Sequence, residues 1–132
     1  MVNRLLQPQE VEVHYVLPAI RRELALALKA QGLEQREIAH RLFVTEPAVS
    51  QYVNNKRGTD ISFTPHATEA IRAAAGRIFD HQSLMREVQA LLKVMTDERV
   101  TCRLHAKLAG LPEECNVCFE RPVAHPNVVM KR

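Results

Sequence analysis

The residues best suited to chemistry are three cysteines and a histidine near the end of the chain. The segment "CRLHAKLAGLPEECNVC" contains Cys102, His105, Cys115 and Cys118, and it holds all 3 cysteines of the 132-residue sequence. Cys102 and His105 are three positions apart on a predicted helix and therefore share a face, while Cys115 and Cys118 form a C-x2-C pair. Three thiolates with one imidazole suit tetrahedral zinc, and three thiolates suit an iron–sulfur cluster. We expect a metal site here.

The identity of the metal depends on His105. A structural zinc ion needs four firm ligands and therefore requires His105, whereas an iron–sulfur cluster needs only the cysteines. We favour the cluster, because a labile cofactor can give a regulator its signal, and we keep zinc as the alternative. In the competing interpretation Cys102 is an ordinary buried residue and His105 lies at the surface.

A second set of polar residues lies in "QREIAHRLFVTEPAVSQYVNNKRG", residues 35–58. The apolar residues of this segment predict two short amphipathic helices that meet at a tight corner; they are Ile38, Ala39, Leu42, Val44, Val49 and Val53. Gln and Asn side chains can pair with adenine, Glu can accept from the cytosine amino group, and Lys and Arg suit phosphates. The candidate DNA-binding residues are Gln35, Thr45, Glu46, Pro47, Ser50, Gln51, Asn54, Lys56 and Arg57.

The amino-acid sequence of this segment resembles that of a known family. "LEQREIAHRLFVTEPAVSQYVNNKRG" is similar to the helix-turn-helix of phage-repressor and Xre-type transcriptional regulators, and the likeness extends from Pro18 to Gly58. The resemblance implies that the helix Glu46 to Asn54 enters the DNA major groove. Two positions depart from the family pattern. Phe43 stands where glycine is usual at the corner, so we expect the corner to be rebuilt. Glu34 stands where a Ser or Thr cap is usual, so we expect that capping bond to be missing or made differently.

The whole chain also resembles a group of archaeal regulators that join such a helix-turn-helix to a cysteine-rich C-terminal part. In that group the resemblance implies a further C-x2-C pair before Cys102, where this chain has Gln89 and Leu92. The minimum ligand set is therefore Cys102, Cys115 and Cys118.

Helices must position both sets of residues. Helical periodicity begins at Pro18 and ends at Gly32, and Thr45 is well placed as the N-cap of the second helix of the corner. Further helices are expected after Thr64 and after Asp80, and Thr96 is expected to cap a last helix that ends at Gly110. The apolar faces of the middle helices suggest a dimer interface, or else only the core of one chain; their residues are Ile71, Ile78, Leu84, Leu91 and Met95.

Composition agrees with an all-α fold: the chain is 46% hydrophobic and 25% charged, with 4 glycines and no tryptophan. We expect an N-terminal arm over residues 1–13, a helix-turn-helix DNA-binding domain over 14–62, a helical dimerisation and Cys/His metal-site region over 63–120, and a tail over 121–132. The first residues contain no apolar stretch long enough to suggest a signal peptide, and no run approaches the roughly 20 apolar residues of a membrane span, so we expect a cytoplasmic protein without a membrane partner. A net charge of +3 permits a DNA partner without requiring one.

These observations predict a dimeric, sequence-specific transcriptional regulator that binds double-stranded DNA at a palindromic operator. Its iron–sulfur cluster, or another metal, would modulate DNA binding. The alternative is a helix-turn-helix module for protein interaction with a structural zinc knuckle. An enzyme is not expected, since the sequence has no Gly-rich phosphate loop and no H-E-x-x-H or G-x-S-x-G motif; a thiol redox protein acting at Cys115 and Cys118 is the third class considered.

Overall fold

The fold is built from helices. The computed structural model describes residues 7–120, and all regular structure in this range is helical, which confirms the all-α prediction. The elements are α1 (Pro8–Val11), a π-helical turn (Glu12–Val16), α2 (Leu17–Ala30), α3 (Gln35–Leu42), α4 (Glu46–Val53), α5 (Pro65–Ala75), α6 (His81–Asp97), α7 (Val100–Ala109) and a 3₁₀ turn (Val117–Phe119). None of the helices in this part of the chain combines the length and the apolar character needed to cross a bilayer.

The chain before Pro18 is helical, so the expected arm is wrong for the described part of residues 1–13. α1, the π-helical turn and α2 follow one another without a break, and Val11 and Val16 are fully buried. The wide π-helical turn accommodates Pro18. In a regular α-helix, Pro18 would have no N–H to donate to the His14 carbonyl, and its ring would clash with that carbonyl. Within the turn, the Leu17 N–H donates to the Glu12 carbonyl instead. Residues 1–6 of the expected arm lie outside the described residues.

One hydrophobic core joins the helices on both sides of residue 62. α2 lies at its centre and packs against α3, α4, α5 and α6. Ile71, Ile78, Leu91 and Met95 are buried in this core, and Leu84 is partly buried against it. The residues that suggested a dimer interface therefore close the core of the single chain, and dimerisation stays a prediction without that support.

The start of the last helix differs from the expectation. Thr96 and Asp97 belong to the end of α6, and the Thr96 hydroxyl donates to the Leu92 carbonyl rather than capping a new helix. α7 begins only at Val100, after Arg99 turns the chain in a left-handed conformation. Its end at Gly110, also left-handed, is as predicted. The expected tail, residues 121–132, lies outside the described residues.

Candidate functional site

α3 and α4 form the pair that the sequence predicts. Their apolar faces are turned inward: Ile38, Ala39, Leu42 and Val49 are buried, and Val44 and Val53 are partly buried against the core. Sequence analysis missed Tyr52, which is also buried in α4. With Val49 and Tyr52 held inward, the opposite face of α4 is fixed toward solvent.

The corner between the two helices keeps a left-handed residue although it lacks glycine. Phe43 ends α3 with φ 56° and ψ 43°. The next amide, that of Val44, donates to the Ala39 carbonyl at 3.0 Å and so satisfies a carbonyl that the helix end would leave free. The Phe43 ring points outward, with 71% of the residue exposed. The sequence suggested that this corner is rebuilt; instead the backbone accepts Phe43 in the conformation that glycine adopts most easily.

The first turn of α4 is fixed by two hydrogen bonds. The Thr45 hydroxyl accepts from the Ala48 N–H at 3.2 Å, which confirms Thr45 as the N-cap. The Gln35 side chain donates from Nε2 to the Glu46 carbonyl at 2.9 Å and ties the start of α3 to the start of α4. The side-chain amide of Gln35, a candidate DNA-binding residue, therefore also has a structural role within the helix pair. Glu34 makes no side-chain capping bond to the described start of α3, as expected.

The polar face of α4 is open. Glu46, Pro47, Gln51 and Asn54 are exposed. Ser50 is partly buried, and its hydroxyl accepts a hydrogen bond from Asn54 Nδ2 at 3.2 Å. The structure therefore presents Glu46 and Gln51 most freely among the predicted base-reading side chains.

Cationic side chains follow α4 directly. Lys56 and Arg57 are both exposed, as the sequence predicts for phosphate contacts. The Arg57 guanidinium lies over the Tyr52 ring, 5.2 Å from its centroid, which places this charge beside the end of the helix.

Sequence analysis also missed the contacts that hold the end of α4. Arg22 of α2 donates from Nε and Nη2 to Asn55 Oδ1, and it forms an ion pair with Glu23 at 2.9 Å. Gly58, at φ +74°, lies so close to α2 that an added Cβ would be 2.4 Å from the Pro18 carbonyl oxygen. The signal available in the sequence was "NNKRG", whose Asn55 and Gly58 both take left-handed conformations.

The cysteines and His105 line one cavity. α7 carries Cys102 and His105, and the chain after Gly110 returns along α7 to bring Cys115 and Cys118 to the same place. The cavity has a volume of about 230 Å³, and Gln7 and Pro8 from the start of the described chain form another part of its wall. The structure thus brings the four predicted ligands to a common space.

The described side chains do not form a metal-ligand cluster. Within residues 7–120, no three His, Cys, Asp or Glu side chains are grouped so that they could hold a metal ion. All three thiols are free, and burial, together with the neighbouring Cys118 and Cys115, raises the pKa of the Cys102 thiol. Zinc or an iron–sulfur cluster at this cavity stays a prediction.

Comparisons of the chain with family models, with curated proteins and with solved structures return no match. Inferences about function therefore depend on the geometry of the α3–α4 pair and of the cysteine-lined cavity.

Proposed function

We propose that the protein is a sequence-specific DNA-binding transcriptional regulator that reads the major groove with α4. The observation that carries this proposal is the exposed polar row of Glu46, Gln51 and Asn54 on a helix whose other face is buried in the core. The B-DNA major groove is about 12 Å wide and admits an α-helix.

The chemistry of this row suits base edges. Gln51 and Asn54 can each pair with adenine through two hydrogen bonds, and Glu46 can accept from the cytosine amino group, each good pair contributing about 1–3 kcal/mol of discrimination. Lys56 and Arg57, which follow the helix, meet the negative backbone and set its position on the duplex.

Both ends of α4 are anchored, and this supports a reading role. Gln35 ties the first turn to α3, and Arg22 holds Asn55 just beyond the last turn. A helix that keeps a fixed angle and register delivers its side chains to the same base pairs each time, because recognition depends on placement within a fraction of an ångström.

The test is selection of bound sites from random double-stranded DNA, followed by titration of the best site at several salt concentrations. Replacing Gln51 by Ala should relax the base preference at one or two positions. Replacing Lys56 by Ala should weaken binding to all sequences alike and reduce the slope of log K against log salt by about 1. Lys56 is a cleaner phosphate variant than Arg57, whose guanidinium also contacts Tyr52.

Absence of salt-dependent DNA binding would overturn the proposal and favour a helix pair that binds a protein. Identical losses on every sequence for both variants would remove the base-reading role of Gln51 while leaving DNA binding in place.

Two further parts of the hypothesis need their own measurements. A homodimer on a palindromic site predicts two chains per duplex in sedimentation, with half-sites about one helical turn apart. Modulation by a metal predicts stoichiometric iron and sulfide, or zinc, in protein purified without oxygen.

A further inference from the structure

The cysteine-lined cavity has the size and walls of a small-molecule site. Its volume is about 230 Å³, and apolar groups form most of its surface, with contributions from Ala106, Leu111, Val117 and Phe119. An apolar protein cavity of about 150 Å³ is known to accept benzene. One six-membered ring with small substituents therefore fits the space beside the three thiols.

A buried hydroxyl without a hydrogen-bond partner among the described residues lines a smaller cavity beside this one. Thr101 is 4% exposed, and its hydroxyl has no hydrogen-bond partner among the described residues. Thr101 lines a smaller cavity of about 80 Å³ that shares Pro8, Cys102, His105, Cys118 and Phe119 with the larger one. Buried polar groups normally have a partner, so a ligand atom that accepts a hydrogen bond would complete this site.

The wall that carries Cys118 is held in place by Arg99, the residue that precedes α7. Arg99 donates from Nη2 to Asn116 Oδ1 at 2.7 Å, and its guanidinium lies 4.1 Å from the centroid of the Phe119 ring. Cys118 is the exposed thiol of the three, whereas Cys102 and Cys115 are partly buried. Cys118 is thus the thiol most accessible to a molecule that enters from solvent.

We propose that this cavity binds a small apolar α,β-unsaturated carbonyl compound, of the size of a benzoquinone, and that Cys118 adds to it. Three features of the site match this class. The apolar walls take the ring, and the Cys118 thiol supplies the nucleophile. The Thr101 hydroxyl, in the smaller cavity that adjoins this one at Cys118, supplies a donor for a carbonyl oxygen that reaches into it.

The reaction is an addition and needs no further reactant. The Cys118 sulfur forms a bond to the β-carbon. The π electrons of the carbon–carbon double bond form a new double bond from the α-carbon to the carbonyl carbon, and the π electrons of the carbonyl group move to its oxygen. The proton that the thiol gives up to solvent is matched by one taken up at that oxygen, and loss of the ring proton to the second oxygen restores an aromatic ring. The product is a hydroquinone thioether, with nothing expelled and no external oxidant.

The experiment compares two reagents on the full chain as purified. The rate of modification of Cys118 is measured by peptide mass spectrometry with methyl-1,4-benzoquinone and, separately, with iodoacetamide, and the ratio of the two rates is compared with the same ratio for glutathione. The intrinsic reactivity of the thiol largely cancels in this ratio. Binding in the cavity predicts a ratio at least tenfold above that of glutathione, and a quinone rate that saturates with quinone concentration.

Matched variants assign the effect to the cavity. Val117 lines it and is exposed, so Val117→Trp should fill the space without disturbing the core and bring the ratio close to that of glutathione. Leu108→Trp, an exposed position of α7 outside the cavity wall, should leave the ratio unchanged. Cys118→Ser should abolish the adduct.

A ratio equal to that of glutathione, or a linear dependence on quinone concentration, would overturn the proposal. Thiols that react only after treatment with a chelator would also overturn it, and would identify the cavity as a metal site instead. Neither result depends on whether α4 binds DNA.

Discussion

Phe43 stacks on His81, with ring centroids 4.7 Å apart and an interplanar angle of 20°. The contact joins the corner between α3 and α4 to the first turn of α6. A non-glycine residue in the left-handed region costs about 1–2 kcal/mol, and an aromatic pair contributes about 0.5–1.5 kcal/mol. The stack therefore offsets much of the strain that Phe43 introduces where glycine is usual in the family that the sequence resembles.

This balance predicts an unusual order of stability at position 43. Phe43→Gly loses the stack but removes the left-handed strain, whereas Phe43→Ala loses the stack and keeps the strain. The glycine variant should therefore be more stable than the alanine variant by about 1 kcal/mol, opposite to the usual preference for alanine. Urea unfolding of the two variants measures the difference, and His81→Ala isolates the loss of the stack. An alanine variant at least as stable as the glycine variant would contradict the strained backbone at Phe43.

The close contact between Gly58 and α2 predicts that a side chain at position 58 destabilises the protein. In Gly58→Ala the new Cβ would meet the Pro18 carbonyl oxygen at 2.4 Å, in addition to the left-handed strain at φ +74°. Gly32→Ala is the matched control, since Gly32 is also left-handed, at φ +90°, but its Cβ would meet no described atom within 4 Å. Gly32→Ala should cost about 1–2 kcal/mol, and Gly58→Ala clearly more. Equal midpoints of urea unfolding would show that the chain after α4 does not lie against Pro18.

The sequence predicted the helices whose boundaries depend on local signals. Thr45 and Thr64 cap α4 and α5 as expected, because a side chain that accepts from a nearby N–H acts within one turn. The helix before Pro18 was missed because proline normally marks a helix start, and only the π-helical turn, which depends on packing of Val11 and Val16, lets the helix continue.

The predicted sites were found in part for similar reasons. Spacing along the chain identified the outward face of α4 and the grouping of Cys102, Cys115 and Cys118. It could not show that Arg22 reaches Asn55, because that contact spans 33 positions. It also could not show how close the thiols lie, since the return of the chain after Gly110 is set by tertiary contacts such as that of Arg99 with Asn116.

A substitution at Leu91 tests whether this side chain packs in the core of its own chain or in an interface between two chains. Leu91→Ala removes a side chain that is 3% exposed within the single chain, and it should lower the free energy of unfolding by about 2–5 kcal/mol. The loss should be the same at low and high protein concentration, because the side chain packs in its own chain. Thermal unfolding over a hundredfold range of concentration checks this. A loss that grows on dilution would return Leu91 to an interface between two chains.

Glu98 should make the stability of the protein depend on pH in the acidic range. Its carboxylate accepts hydrogen bonds from His66 and Thr64, which hold the pKa of Glu98 below its ordinary value of 4.5. Because the folded pKa is the lower one, the stabilisation is complete above the unfolded pKa and is lost as the pH falls through the folded pKa.

Glu98→Gln should therefore be less stable than the original chain at neutral pH, and this difference should shrink as the pH falls below the ordinary pKa of 4.5. Urea midpoints measured from neutral pH down to pH 3 record the gap. Glu69→Gln, which removes the same charge from an exposed position of α5, is the control for net charge. A gap that stays constant down to pH 3 would mean that the bonds from His66 and Thr64 do not favour the ionised carboxylate. In that case the link between the start of α5 and the end of α6 would contribute through packing alone.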